Sequence, residues 1–379
     1  MAAAAFSTSA LSIVGASIID DLSITREQLG FLATVNIVLA ALLSPRAGRI
    51  VDRIGGRRGL IATFLFGGLA FAVMGLAVAY WILVAAAVVA AISQAAGNPA
   101  TNKLISRHIE EGRRGVITGV KQSGGQAASF IGGLLLPIGA ETIGWRPTLL
   151  IAAGVTLALV VPTRSVVPDD RPAGITVVWG SKDLPRSVPW LAAYGALAGF
   201  GDGATFFVPL FAEEAVGYGA RVAGLAAAII GLVAVIGRIA WARFAERDGR
   251  YILTLGVIAL LSVLAGLAFL GSTTSTAFLW VAVVLVAIGS GSWNSVGMLA
   301  VMHHAGPERA GRASGRVMFG YLVGLGVAPP LYGRTIDVTG SYVTIWWIAI
   351  GAYVAAAVLV LAWARSVATD REPDVASQP

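Results

Sequence analysis

Long apolar runs, each close to the length of a bilayer crossing, fill most of this chain, and short polar or charged turns separate them. A helix needs about 20 apolar residues to cross the hydrocarbon core; a helix at a water-exposed surface would instead show apolar positions on one face only. Breaking the sequence at charges and turn residues predicts twelve helices, near 2–20, 26–50, 58–79, 81–104, 114–140, 146–164, 188–213, 220–245, 251–271, 277–303, 312–335 and 342–365. The fold class is therefore all-α and integral to the membrane. The first run lacks a basic leading segment and is followed by Asp20-Asp21, so it reads as a span and not a cleaved signal. It is barely long enough to cross, so either it starts at the membrane surface or a few leading residues are missing.

One segment breaks the pattern. Val166 to Arg186 is polar and proline-bearing, with no span of its own, and reads as a linker. It divides the chain into a six-helix bundle at 1–165, a cytoplasmic linker at 166–186, a second six-helix bundle at 187–366 and a cytoplasmic tail at 367–379. The two bundles look like copies. Asn98, His108, Arg113, Gly115, Gly119 and Gly144 recur as Asn294, His304, Arg309, Gly311, Gly315 and Gly340 in a single register.

Composition sharpens this. Hydrophobic residues make up 57% of the chain and charged residues 12%, and the mean hydropathy is +0.80. The net charge of +7 does not point to nucleic acid, because the basic residues fall in short loops where they fix topology. Arg46, Arg49, Arg53, Arg57, Arg58, Lys103, Arg107, Arg113, Arg114, Arg164, Arg171, Lys182, Arg186, Arg243, Arg247, Arg250, Arg309, Arg312, Arg365 and Arg371 fall on one side, and only Arg26, Arg146, Arg221 and Arg334 on the other. The basic side is cytoplasmic, with both termini inside. Absence of cysteine removes disulfides, thiolate catalysis and cysteine-ligated metals. Three histidines, His108, His303 and His304, make no ligand cluster and lie far from the one intramembrane acid, so neither a metal, a cofactor nor an enzyme is expected. No GxxxxGK[ST] stretch is present for direct ATP drive, and a sensor would want a long soluble loop or domain.

The most charged turn reads GRIVDRIGGRR, from Gly48 to Arg58, between two apolar spans. Gly48, Ile50, Asp52, Arg53, Gly55 and Arg57 resemble the signature that major facilitator superfamily transporters carry between their second and third helices, with Gly56 standing where that pattern has a basic residue. The resemblance implies a latch between the two halves. Its echo in the second copy is Glu246-Arg247 with Gly249, where Ala242 replaces the first glycine. Parallel six-helix repeats and rocker-switch alternating access come with that family.

Candidate chemistry lies in polar groups inside spans, where an ionisable side chain costs at least about 2.5–3.5 kcal/mol and normally faces a cavity or a partner. Lys121, followed by Gln122 and Ser123, sits about 10 Å inside the cytoplasmic boundary at 1.5 Å per residue; it either faces a cavity or snorkels to the headgroups. Arg238, in GRIAWARFAER, resembles the arginine that oxalate/formate-type anion carriers use to hold a carboxylate, a task that suits a planar, permanently charged fork. The lysine those carriers place on helix 11 falls near Tyr321 here. The alternative for Arg238 is a bond to a backbone carbonyl at a bundle seam. Asp202 is the only acid well within a span, either a proton-coupling group or a structural partner. Asn98, before Pro99, and Asn294, after Trp293, occupy equivalent places in the two copies. They are either pocket groups or interhelical glue.

NPATNKL, GVKQSG and the stretch from SGRVMFG to DVTGSY resemble the cyanate-permease-like carriers of bacteria. Together these readings imply a monomeric secondary transporter in the cell membrane for a small organic or inorganic anion. Arg238, Lys121, Gln122, Asn98 and Asn294, with the aromatics Trp293, Tyr321 and Phe206, would bind it, and Asp202 would couple it to protons. The alternative is export of amphipathic drugs, although the Gly-Pro signature of drug/proton antiporters is absent from the fifth helix.

Overall fold

A computed structural model describes residues 2–110, 117, 120–121, 123–169, 184–305 and 310–369. Among these residues every regular element is helical. In chain order they are α1 (Ala2–Ile13), α2 (Gly15–Leu22), α3 (Arg26–Ile54), α4 (Gly56–Gly75), α5 (Tyr80–His108), α6 (Gly124–Ile143), α7 (Trp145–Ala158) and α8 (Val160–Val166). After the linker come α9 (Ser187–Asp202), α10 (Val208–Glu214), α11 (Ala220–Asp248), α12 (Tyr251–Gly271), α13 (Ala277–Ile288), α14 (Trp293–Ala305), α15 (Ala310–Thr339) and α16 (Val343–Thr369). Among the described residues ten helical stretches are long and apolar enough to cross a membrane, and α1 with α2, bent by 66°, makes an eleventh if the pair is one span. α15 completes the twelve expected. It is 30 residues long, and Arg316 and Arg334 leave it only the uncharged stretch from Val317 to Gly333.

Four of the expected helices are interrupted where the sequence pattern runs straight through. The span 2–20 breaks between α1 and α2; 146–164 breaks at Leu159, between α7 and α8; 188–213 breaks at a 3-10 turn, Gly203–Phe207; and 277–303 breaks at Ser290–Ser292. The last two breaks fall in glycine-rich stretches, AGFGDGATFF and GSGSW, where the backbone has least preference for the α conformation. The expected start of the fifth helix at 114 lies among or beside residues outside those described; its described part, α6, begins at Gly124.

The chain forms two compact units. The first comprises residues 1–180, 206–232 and 329–342; the second comprises 181–205, 233–328 and 343–379. This division by packing is not the same as the sequence repeat, because 206–232 and 329–342 belong to the second copy yet pack in the first unit. In that unit α4 packs on α5 and α7, α3 on α5, and α1 on α6. Close approaches at glycine bring in the added segments: a Cβ at Gly30 would strike the Pro329 carbonyl, one at Gly333 the Arg26 carbonyl, and one at Gly133 the Gly224 carbonyl. Small residues that admit backbones to contact are the ordinary means of helix association in lipid.

Charges reinforce the same end of the first unit. The Arg26 guanidinium bonds Glu214 through Nη2 at 2.6 Å and lies 3.4 Å from Asp337. The Asp337 carboxylate also accepts from the backbone N–H groups of Arg26 and Glu27, at 3.2 and 2.8 Å. It thereby caps the start of α3 beside the Thr25–Gln28 capping box. Arg334 reaches Glu27, Arg146 reaches Asp21 and Arg221 reaches Glu141. Tyr342 donates to Glu214 at 2.7 Å; burial first, then that carboxylate, pushes its phenol above the usual range, so it stays a donor. In the second unit α12 packs on α13 and α16, and α9 on α16, around a core that includes Leu191, Tyr194, Leu255, Trp293, Val317 and Trp363.

Candidate functional site

The second unit gathers its polar groups at the two helix breaks. Asp202 ends α9 at the first break and is 8% exposed. Tyr321 on α15 donates to its Oδ2 at 3.1 Å, and Tyr353 on α16 donates to its Oδ1 at 3.2 Å. Ser290, in the second break, lies beside the same carboxylate. The placement depends on glycines: Cβ atoms at Gly199 and Gly201 would collide with the Tyr321 carbonyl and the Tyr353 ring.

Arg238, on α11, donates from Nε to the Gly291 carbonyl at 3.0 Å, and Trp241 one turn on donates from Nε1 to the Ile288 carbonyl at 2.7 Å. Breaking a helix strips carbonyls of their i+4 partners, and inside a membrane each must be satisfied by protein. Arg238 therefore serves the bundle-seam role weighed as the alternative. It also lies within electrostatic range of Asp202 and Tyr321, so a guanidinium, a carboxylate and two phenols share one neighbourhood. Trp293 is 1% exposed, with its ring centroid 5.0 Å from Tyr321 and 6.0 Å from Tyr194. It backs Tyr321 and is fully covered. Asn294 is half-buried, and its Oδ1 finds no hydrogen-bond partner among the described residues.

In the first unit Lys121 Nζ donates to Asn98 Oδ1 at 3.1 Å and to Asn102 Oδ1 at 2.6 Å. Gln122 lies outside the described residues. Phe206 packs edge-on against Phe207, its carbonyl accepting from Ser12 at 2.5 Å, in the first unit. The structure thus brings together Asp202, Tyr321, Arg238 and Trp293, and separately Lys121 and Asn98.

The charged turn is built from packing and capping. Gly55 has φ +98°, a conformation that favours glycine. Gly56 and Gly59 admit α5, a Cβ at either meeting Ala100 or Leu104, and Gly48 approaches Pro99. Lys103, expected only as a topogenic charge, donates to the last-turn carbonyls of Val51 and Asp52 at 3.1 and 2.7 Å and lies 3.8 Å from the Asp52 carboxylate. A lysine from α5, and not one of the turn's arginines, makes these bonds. Arg53 is exposed, Arg57 pairs with Asp169 at 2.7 Å, and Glu246 and Arg247 are exposed.

Four residues of consequence escaped the sequence reading. Tyr353 and Trp241 are aromatic residues in apolar runs, with nothing in the pattern to single out their polar ends. Asn102 sits in the quoted NPATNKL one turn beyond Asn98, and that i, i+4 spacing was a usable signal. Asn36, an amide inside an apolar run, was also visible as such; it is 1% exposed and accepts from Thr8 at 3.2 Å, and its Nδ2 finds no partner among the described residues. No group of three or more metal-ligating side chains occurs among the described residues.

Among the described residues, helices of this length and apolarity, interrupted at buried polar groups, mark a multi-pass membrane protein. Residues 1–329 match the Major Facilitator Superfamily model, and the chain belongs to that family. Membership makes it a multi-pass membrane transporter and not an enzyme. Among curated relatives, the probable sulfoacetate transporter SauU of Cupriavidus necator is 22% identical over 361 residues, covering 88% of this chain and 84% of that protein. The multidrug resistance protein MdtG of Serratia proteamaculans is 29% identical, but over only 37% of this chain and 34% of its own length. A putative tartrate transporter of Agrobacterium vitis is 29% identical over 54% of this chain and 45% of that protein. In fold, the chain is similar to the crystal structure of a bacterial homologue of the human lysosomal transporter Spinster, with TM-score 0.80 and 17% identity over 96% of this chain and 94% of the other.

Proposed function

We propose that this chain carries a small organic anion, a carboxylate or sulfonate, across a bacterial inner membrane by rocker-switch alternating access, both termini being cytoplasmic. The observation that supports the reading is Arg238: a permanently charged fork held at mid-helix beside spans interrupted by 3-10 turns, where charge is costly without a task. Discontinuous helices flank substrate sites in several transporter folds, and guanidinium is the side chain best matched to a carboxylate or sulfonate. The long match to a probable sulfoacetate transporter supports the same class. Lys121, with Asn98, is the second cationic group of the reading.

Asp202 supplies the coupling. Ionised, it competes with an anion for the charge of Arg238; protonated, it leaves that charge to the substrate. Proton binding and anion binding would then favour each other, which is how a symporter couples two gradients.

The test is uptake into proteoliposomes of sulfoacetate, tartrate and oxalate, with thermal stabilisation of the purified chain alongside. Arg238→Gln is expected to abolish uptake, and Arg238→Lys to retain part of it. Amphipathic-drug export is the second reading, favoured by the local match to MdtG. It expects that Arg238→Gln combined with Lys121→Gln hardly alters transport, and that result would sink the anion reading.

A further inference from the structure

The described basic side chains of the first unit that bind side-chain partners fall into two groups. Arg26, Arg57, Lys103, Arg146, Arg221 and Arg334 each lie within 4.0 Å of a carboxylate. Lys121 does not: its ammonium is held by two amide oxygens, Asn98 Oδ1 at 3.1 Å and Asn102 Oδ1 at 2.6 Å. Asn98 and Asn102 stand one turn apart on α5, bracketing Pro99, so both carbonyls present to the same side. Both asparagines are exposed and Lys121 is half-buried. Two exposed amides and a cation facing lipid would be unfavourable, so their surroundings are wet.

Neutral oxygens do something that a carboxylate would not. They fix the ammonium in place through charge-assisted bonds while leaving its net charge intact. An ammonium has three donors; two are engaged, and the third has no partner among the described residues. Were the pair of asparagines merely glue between chain segments, an aspartate at either position would bind Lys121 more strongly and still fit.

Resting on the anion reading above, we propose that Asn102 is a positioning residue which, with Asn98, holds Lys121 as an uncompensated cation, making an anion subsite in the first unit for one carboxylate or sulfonate group of the substrate. Asn102→Asp separates the two roles. The substitution is nearly isosteric, keeps the bond to Nζ and cancels the charge. A glue role is unharmed or strengthened by it; an anion subsite is destroyed.

The full chain, purified, is titrated with sulfoacetate, tartrate and oxalate by calorimetry, with melting temperature as the folding control. For whichever probe binds the wild type, Asn102→Asp is expected to weaken binding at least about tenfold, with the ligand-free melting temperature unchanged or higher. Asn102→Ala, which loosens Lys121 without neutralising it, is expected to weaken binding less. In the Lys121→Gln background Asn102→Asp should add far less loss than it causes alone, a coupling that only a shared charge produces. Should Asn102→Asp fail to fold, Lys121→Gln and Lys121→Arg decide: loss in the first with retention in the second supports the subsite, and equal wild-type binding in both overturns it. Wild-type affinity in Asn102→Asp together with loss in Arg238→Gln overturns this subsite and leaves the anion reading standing. If none of the three probes binds the wild type, both fall.

Discussion

Asp202 is held by hydroxyls from two helices, so its environment is set by packing as much as by sequence. Removing one donor from a buried acceptor costs about 1–3 kcal/mol. Tyr353→Phe is therefore expected to lower the melting temperature without removing ligand binding, since Tyr353 meets only the Oδ1 side of the acid. A melting temperature equal to wild type would show that the hydroxyl is dispensable. Asp202→Asn is expected to abolish uptake driven by a pH gradient while leaving counterflow exchange of the anion; gradient-driven uptake at the wild-type rate would remove Asp202 from the coupling. At this scale the ionisable residues were legible because a charge in an apolar run stands out: Asp202, Arg238 and Lys121 all came from the sequence. Their partners did not. Gly291 offers a backbone oxygen, and Tyr353 offers a hydroxyl on a side chain that reads as apolar filler.

The elements were legible in number and approximate length, since a run of about 20 apolar residues leaves the backbone little choice inside lipid. The interruptions were not. Glycines in AGFGDGATFF and GSGSW permit a break without requiring one, and the same residues are equally used for close packing. Gly199 and Gly154 illustrate the difference. A Cβ at Gly199 would strike the Tyr321 carbonyl, whereas nothing lies within 4 Å of one at Gly154. Gly199→Val is expected to displace α15 and cost at least the 1–3 kcal/mol typical of overpacking, with loss of probe binding. Gly154→Val should leave melting and binding unchanged. Equal tolerance at both positions would mean that the α9–α15 contact is slack.

At the scale of the whole chain, Gly30, Gly333 and the Arg26–Glu214–Asp337 cluster hold the start of α3 to the end of α10 and to α15 within the first unit. On the proposed topology this end is external. On the proposed rocker-switch reading these contacts must come apart, because α3 belongs to the first sequence copy whereas Glu214 and Asp337 belong to the second. Arg26→Glu sets like charges against each other and is expected to speed labelling, by an external membrane-impermeant maleimide, of a cysteine placed at buried Ser12. Glu214→Arg added to it should slow labelling again. Labelling unaffected by either change would sink the gate. The natural chain has no cysteine, so the same reagent also maps the topology one position at a time.

What the sequence determined by itself was the solvent, the approximate count of spans and the side chains too costly to bury idly. All of these follow from local composition, because lipid forces each backbone segment to satisfy its own hydrogen bonds. Tertiary structure alone decided which costly groups meet and where the helices break. It made Arg238 a cap for a broken helix as well as a charge, and it set Lys121 on two neutral amides. Those outcomes depend on contacts between residues distant in the chain, such as Asp202 with Tyr353, and periodicity along one segment carries no information about its neighbour.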